Sequence, residues 1–180
     1  NGSEKELINW ANQSNFFNKI IHHKINLGMA GALNDAYKKT NGEYVLLLED
    51  DFYIDYKEPF IMKCLNIFNE FPEIGIIRLK NQNNWGKKYR IIGPKRKTKN
   101  NDIFWTWFPS INGRLNVWAA GSVMFRKVSY LSIGEIIYKK NVSRNKIGHQ
   151  GFYYEEVYGK KYNKTWLAAK IQNCYPFIQP

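Results

Sequence analysis

At 180 residues, 44% hydrophobic and 23% charged, the chain has the size and make-up of one globular domain with a core of its own. Its two cysteines, Cys64 and Cys174, make neither a disulfide framework nor a metal quartet and read as buried, reduced thiols, and no apolar stretch is long enough to cross a bilayer. The formal charge of +12 points to an anionic partner such as nucleic acid, a nucleotide diphosphate, an acidic glycan or a lipid surface, and the aromatic content of 16% suits either core packing or ring faces lining a cleft for sugars or bases.

Ser3 is placed to cap a short helix through Asn12, with Glu6 closing a capping box. Ile20-Ile21-His22-His23-Lys24 reads as a short strand whose histidines point to opposite faces and so cannot easily share one metal. The glycine-bearing turn Asn26-Leu27-Gly28 runs into a helix with small residues on one side, which allows close approach to a sheet or to a ligand at its N-terminus; Asn41-Gly42 stops it. Asn34 sits mid-helix, where a polar ligand contact is the expected role rather than a cap.

Tyr44 to Leu48 reads as a strand buried on both faces, as in parallel sheets, and it ends abruptly in Glu49-Asp50-Asp51. Three neighbouring carboxylates repel, so one is protonated, the group is well solvated, or a cation sits among them. Ligands of open α/β sheets bind past the carboxyl ends of the strands, which favours a divalent-metal site here over a solvated acidic turn. The stripe Phe60, Ile61, Cys64, Leu65, Ile67 and Phe68 predicts a helix closed by Pro72, and Ile74 to Leu79 predicts the next strand. The alternation from Ile20 to Leu79 predicts a parallel sheet with right-handed crossovers.

Residues 80–101 are basic, polar and aperiodic and read as a flexible loop, a lid over most of its length and a disordered insertion from Pro94 to Asn101. Phe104 to Pro109 is too aromatic for solvent, and Val117 to Arg126 reads as a strand entered through a small-residue turn, followed by a helix from Val128 to about Tyr138. Phe152 to Gly159 is the next expected helix, with Glu155 and Glu156 favourable against the positive end of its dipole. His149, in the glycine-rich loop before it, reads as an ordinary loop residue ahead of a phosphate or metal contact. Thr165 to Ile171 is the last expected strand, after which the chain runs to Pro180 without a closing element.

Taken together, Asn26-Leu27-Gly28 with Asn34, Gly42-Glu43-Tyr44, Leu48-Glu49-Asp50-Asp51, Ala120-Gly121-Ser122, and Glu155-Glu156 with Lys160-Lys161 resemble the family 2 glycosyltransferases with the GT-A fold, in order and spacing through most of the chain. The resemblance implies an α/β, Rossmann-like, mostly parallel sheet flanked by helices, one domain over 1–180, incomplete at the N-terminus where the family's base-holding strands would stand. It implies that Glu49-Asp50-Asp51 replaces the family's Asp-x-Asp motif: Asp51 would bind Mn²⁺ or Mg²⁺, Glu49 and Asp50 would face the ribose or a metal-bound water, and Asn26, Gly28 and Asn34 would line the donor. Oxygen ligands suit these cations, which take few protein carboxylates.

The base implied for the acceptor hydroxyl is Glu156, with Glu155 as the alternative, since adjacent helical residues point about 100° apart and one alone faces the site; the family's second acid is usually Asp. Trp105, Trp107, Trp118 and Gly121 are placed on the acceptor side, core packing being the expectation for at least one tryptophan. The implied partners are a nucleotide-diphosphate sugar donor and a glycan, lipid-linked or protein hydroxyl acceptor, without specific nucleic acid, in a metal-dependent, inverting transfer. The competing reading is a non-catalytic, basic, aromatic-rich module for nucleic acid or anionic glycan, against which three acids at a strand end would repel phosphate.

Overall fold

The structure, a computed structural model, describes residues 4–49, 52–54, 57–79, 92–107, 118, 121–137 and 157–178. The first helix, α1 (Lys5–Gln13), buries none of its residues; it starts after Glu4, which makes no capping side-chain bond, and the expected cap Ser3 lies outside the described residues. The strand expected over Ile20–Lys24 does not form. The two histidines are taken up by side chains of flanking helices instead: His22 Nε2 meets Asn12 Oδ1 at 2.9 Å and His23 Nε2 meets Asp35 Oδ2 at 2.8 Å.

Helix α2 (Gly28–Lys39) comes next, its first residue at φ 68°, a conformation that glycine reaches without steric cost. Residues 40–43 join it to β1 (Tyr44–Leu47), and so short a link makes helix and strand run back along each other. The remaining elements are β2 (Tyr53–Ile54), α3 (Phe60–Glu70), β3 (Ile74–Arg78), β4 (Ile92–Lys97), β5 (Ile103–Trp107), β6 (Val123–Arg126), α4 (Lys127–Ile133), β7 (Leu167–Ile171) and β8 (Phe177–Ile178), with residues 157–162 helical between α4 and β7.

Six strands form one sheet in the order β1-β6-β3-β7-β5-β4, and β2 pairs antiparallel with β8. The pairings point β1, β3, β7 and β4 one way and β6 and β5 the other, so the fold is α/β as expected while the ladder is mixed: β3–β7 is its parallel pair. The alternation from α2 to β3 did orient β1 and β3 alike, but β6 arrives much later in the chain and slots between them, antiparallel to both. Among the described residues β1 is therefore an edge strand, and its four residues are half-buried rather than buried on both faces.

Alternation along the strands sorts the core into two layers. Ile76, Val123, Phe125 and Ala168 face α2, α4 and the 157–162 helix, joined by Tyr37, Tyr130, Tyr158, Tyr162 and Trp118. Ile77, Met124, Ala169, Ile171 and Phe104 face α3, whose buried side is Phe60, Cys64, Ile67 and Phe68; of the remaining stripe residues Leu65 packs partly buried against this layer and Ile61 is exposed. Arg126 pins the second layer: its Nε donates to Ile74 O at 3.0 Å, an Nη2 donates to Phe68 O, and the guanidinium lies 5.0 Å from the Phe68 ring centroid. Both cysteines are buried free thiols in this layer, and burial pushes Cys64 well up from its ordinary range.

Three further expectations are corrected. The loop assigned to 80–101 is a strand over Ile92–Lys97, paired with β5 and closed by a turn in which Thr98 N donates to Asp102 O at 3.0 Å; residues 80–91 lie outside the described residues. Arg96 is what the composition concealed, since it pairs with Glu73 and lies 4.1 Å from the Phe71 ring centroid, a cation used inside the fold. Helix α4 ends at Ile133 because Gly134 adopts φ 87°, short of the expected Tyr138. The chain does have a closing element, β8.

Candidate functional site

Because β1, β3 and β7 point the same way, their carboxyl ends share one edge of the sheet with the start of β6. The β1–β6 register runs from Tyr44 against Arg126 to Leu47 against Val123, so two residues further on Glu49 stands across from Gly121. The side chain agrees with that placement: a Cβ built on Gly121 would lie 2.6 Å from Glu49 Oε2. Absence of a side chain at 121 is thus what lets a carboxylate rest against the β6 backbone at the sheet edge. Leu79 N donates to Ser122 O at 3.0 Å and ties the end of β3 to the same turn.

Ser122, part of the Ala120-Gly121-Ser122 motif, carries a feature that the sequence did not assign to it. It holds φ 35°, is fully buried, and its Oγ has no hydrogen-bond partner among the described residues. Left-handed backbone at a non-glycine residue beside a candidate site is local strain that the surrounding ladder must hold. The signal available beforehand was the Ala-Gly-Ser turn leading into an apolar strand.

Asn26 and Gly28 form the approach to α2: Asn26 Oδ1 accepts from Gly28 N at 2.8 Å, fixing the turn at the N-terminal end of that helix. Asn34 has a different occupation from the ligand contact expected of it. It is 8% exposed, its Nδ2 donates to Ile136 O at 3.0 Å, and its Oδ1 accepts from Ile136 N at 2.9 Å and from Tyr130 Oη at 3.0 Å. Such an amide is a structural tie between α2 and the segment after α4.

The tryptophans part company. Trp118 is buried, its ring edge-on to Tyr158 at 4.9 Å, and belongs to the core; Trp105 is half-buried on β5 beneath Lys95, whose Nζ is 5.9 Å from its ring centroid. Trp107 stands across from Ala168 at the end of β5. Asp50, Asp51, His149, Glu155 and Glu156 lie outside the described residues, and the helix expected to carry the last two is helical where described, over 157–162. Among the described residues no three His, Cys, Asp or Glu side chains converge as a metal site, and no helix is long and apolar enough to cross a membrane.

In open α/β sheets the ligand edge is the one past the carboxyl ends of the strands, and that is the edge where Glu49 lies against Gly121. The chain belongs to glycosyl transferase family 2, whose model matches residues 1–177. It is similar to a poly-beta-1,6-N-acetyl-D-glucosamine synthase of Staphylococcus epidermidis strain RP62A, 26% identical over an alignment 126 residues long that covers 64% of this chain and 28% of that protein. A second S. epidermidis protein of the same description matches to the same extent, so the chain spans 28% of the length of these relatives. No solved structure matches.

Proposed function

We propose that this chain is a metal-dependent, inverting glycosyltransferase domain that moves a sugar from a nucleotide-diphosphate donor to a hydroxyl acceptor. The observation that carries the reading is the Glu49 carboxylate held against Gly121 at the carboxyl edge of β1, in a chain matched by the family along 1–177. The residue types fit a hard cation: Glu49, Asp50 and Asp51 offer carboxylate oxygens only, and Gly121 lets the Glu49 carboxylate lie against the backbone at the strand end. Asp51 would hold Mn²⁺ or Mg²⁺, with Glu49 and Asp50 toward the ribose or a bound water. When bound, the cation neutralises the charge that builds on the departing diphosphate.

Glu156, or Glu155 in its place, takes the proton of the acceptor hydroxyl as that oxygen bonds to the anomeric carbon and the bond to the nucleoside diphosphate breaks. A single displacement of this kind inverts the anomeric centre. The Asn26–Gly28 turn shapes the approach to the donor, and Asn34 supports it from within the fold.

The test is donor hydrolysis and transfer by the full-length protein with Mn²⁺ and a panel of nucleotide sugars, beginning with the N-acetylglucosamine donor because the S. epidermidis relatives are named for that sugar. Asp51→Ala is expected to abolish both while leaving the circular dichroism spectrum unchanged. Wild-type turnover in that variant would refute the metal assignment.

A further inference from the structure

We propose that the β3–β7–β5–β4 side of the sheet is a docking surface for an anionic glycan, seated on Arg78, Lys170, Lys95 and the Trp105 ring. Its role as an acceptor surface rests on the transferase reading; the binding itself does not.

The row comes from the register. Ile77 stands across from Ala169, which sets Arg78 beside Lys170 one residue on; Lys170 stands across from Trp105, and Trp105 from Lys95. Directly opposed residues of neighbouring strands share a face, so four consecutive strands present guanidinium, ammonium, indole and ammonium in one line, about 14 Å long at ordinary strand spacing. Rings accompany both lysines: Lys95 Nζ is 5.9 Å from the Trp105 centroid and Lys170 Nζ is 4.8 Å from the Tyr175 centroid. Val123, across from Arg78 and from Leu47, is buried in the core, so the row ends at Arg78, two strands from the β1 edge where Glu49 lies against Gly121.

Lys38, Lys39 and Lys63 each pair with a carboxylate. Among the described residues Lys95 and Lys170 pair with none, and Lys170 is half-buried. Burial, and then the Arg78 charge, hold its ammonium below the ordinary lysine range. A desolvated cation beside another cation is costly until an anion joins it. A phosphate or carboxylate carried on a sugar supplies that anion, and the sugar's apolar face suits the rings.

The experiment measures equilibrium binding of the full-length protein, without donor, to phosphomannan, polygalacturonate, neutral mannan and single-stranded poly(dT). Binding to phosphomannan or polygalacturonate that weakens with salt is expected, and the tighter of the two tells whether phosphate or carboxylate is read. Lys170→Gln and Lys95→Gln should each weaken it about tenfold, the loss of one charge-assisted bond, while Lys164→Gln on the far turn leaves it unchanged. Lys95 is exposed on an edge strand, so its variant folds even where the Lys170 variant does not. Equal binding to neutral mannan, indifference to both substitutions, or tighter binding to poly(dT) would each overturn the proposal. Asp51→Ala is expected to keep glycan binding, which separates this outcome from that of the transferase test.

Discussion

One buried amide carries much of the link between α2 and the segment after α4. Asn34 bonds both backbone groups of Ile136 and the Tyr130 hydroxyl, and truncation strands all three. Asn34→Ala should therefore cost about 2–3 kcal/mol in denaturant unfolding, from buried groups left unsatisfied. Gly121→Ala tests the opposite kind of residue. The new methyl would meet the far end of the Glu49 side chain, which can swing away, so stability should change by less than about 1 kcal/mol. Turnover should nonetheless fall about tenfold as the carboxylate leaves its place, a difference read by comparing kcat/KM with the melting temperature. The place of Glu49 past the end of β1 was legible from three acids closing an apolar run, whereas the role of Asn34 was not: its partners lie 96 and 102 positions away in sequence.

At the scale of the element, β4 shows what patterning conceals. Pro94, Lys95, Arg96 and Lys97 carry no apolar alternation, yet they form an edge strand because β5 supplies the ladder and Arg96 finds Glu73 and Phe71. Edge strands tolerate such residues, since one side of the backbone faces away from the sheet. Burial alone would raise the Glu73 carboxyl, but the Arg96 bond and the surrounding charges outweigh it and hold the group below its ordinary range. A depressed carboxyl stabilises the fold above its unfolded value, near pH 4.3, and that contribution disappears as pH falls through the folded value. Melting temperature measured from pH 6 to pH 3 should thus drop less steeply in Glu73→Gln than in wild type, by an amount worth under about 1 kcal/mol because the pair is partly solvated. By contrast α2, α3 and β3 lie where periodicity put them, being held by their own apolar faces.

In the molecule as a whole, four tyrosines bind α2, α4 and the 157–162 helix into one layer. Tyr37 meets Tyr130 edge-on at 4.6 Å, Tyr158 lies 6.3 Å from both Tyr130 and Tyr162, and Tyr162 Oη donates to Ser129 Oγ at 2.6 Å. Burial pushes all four phenols up, Tyr130 to about 12 and the others further. Raised groups stabilise the fold fully below their unfolded value of about 10 and lose that effect as pH climbs toward the folded value. Phenolate absorbance should therefore lag behind free tyrosine above pH 10 and then rise cooperatively with unfolding, each further pH unit costing about 1.4 kcal/mol per buried ring. Local periodicity and motif order by themselves determined the α/β class, the family, and the acid that closes β1, since each repeat and each single motif is written in residues close together and their order is read directly along the chain. Strand neighbours, the insertion of β6 between β1 and β3, the two-layer sorting of aromatic rings and the cationic row across β3, β7, β5 and β4 were decided by the tertiary structure alone. Sheet order and cross-strand register are set by contacts between residues tens of positions apart, which pattern within a short window does not encode.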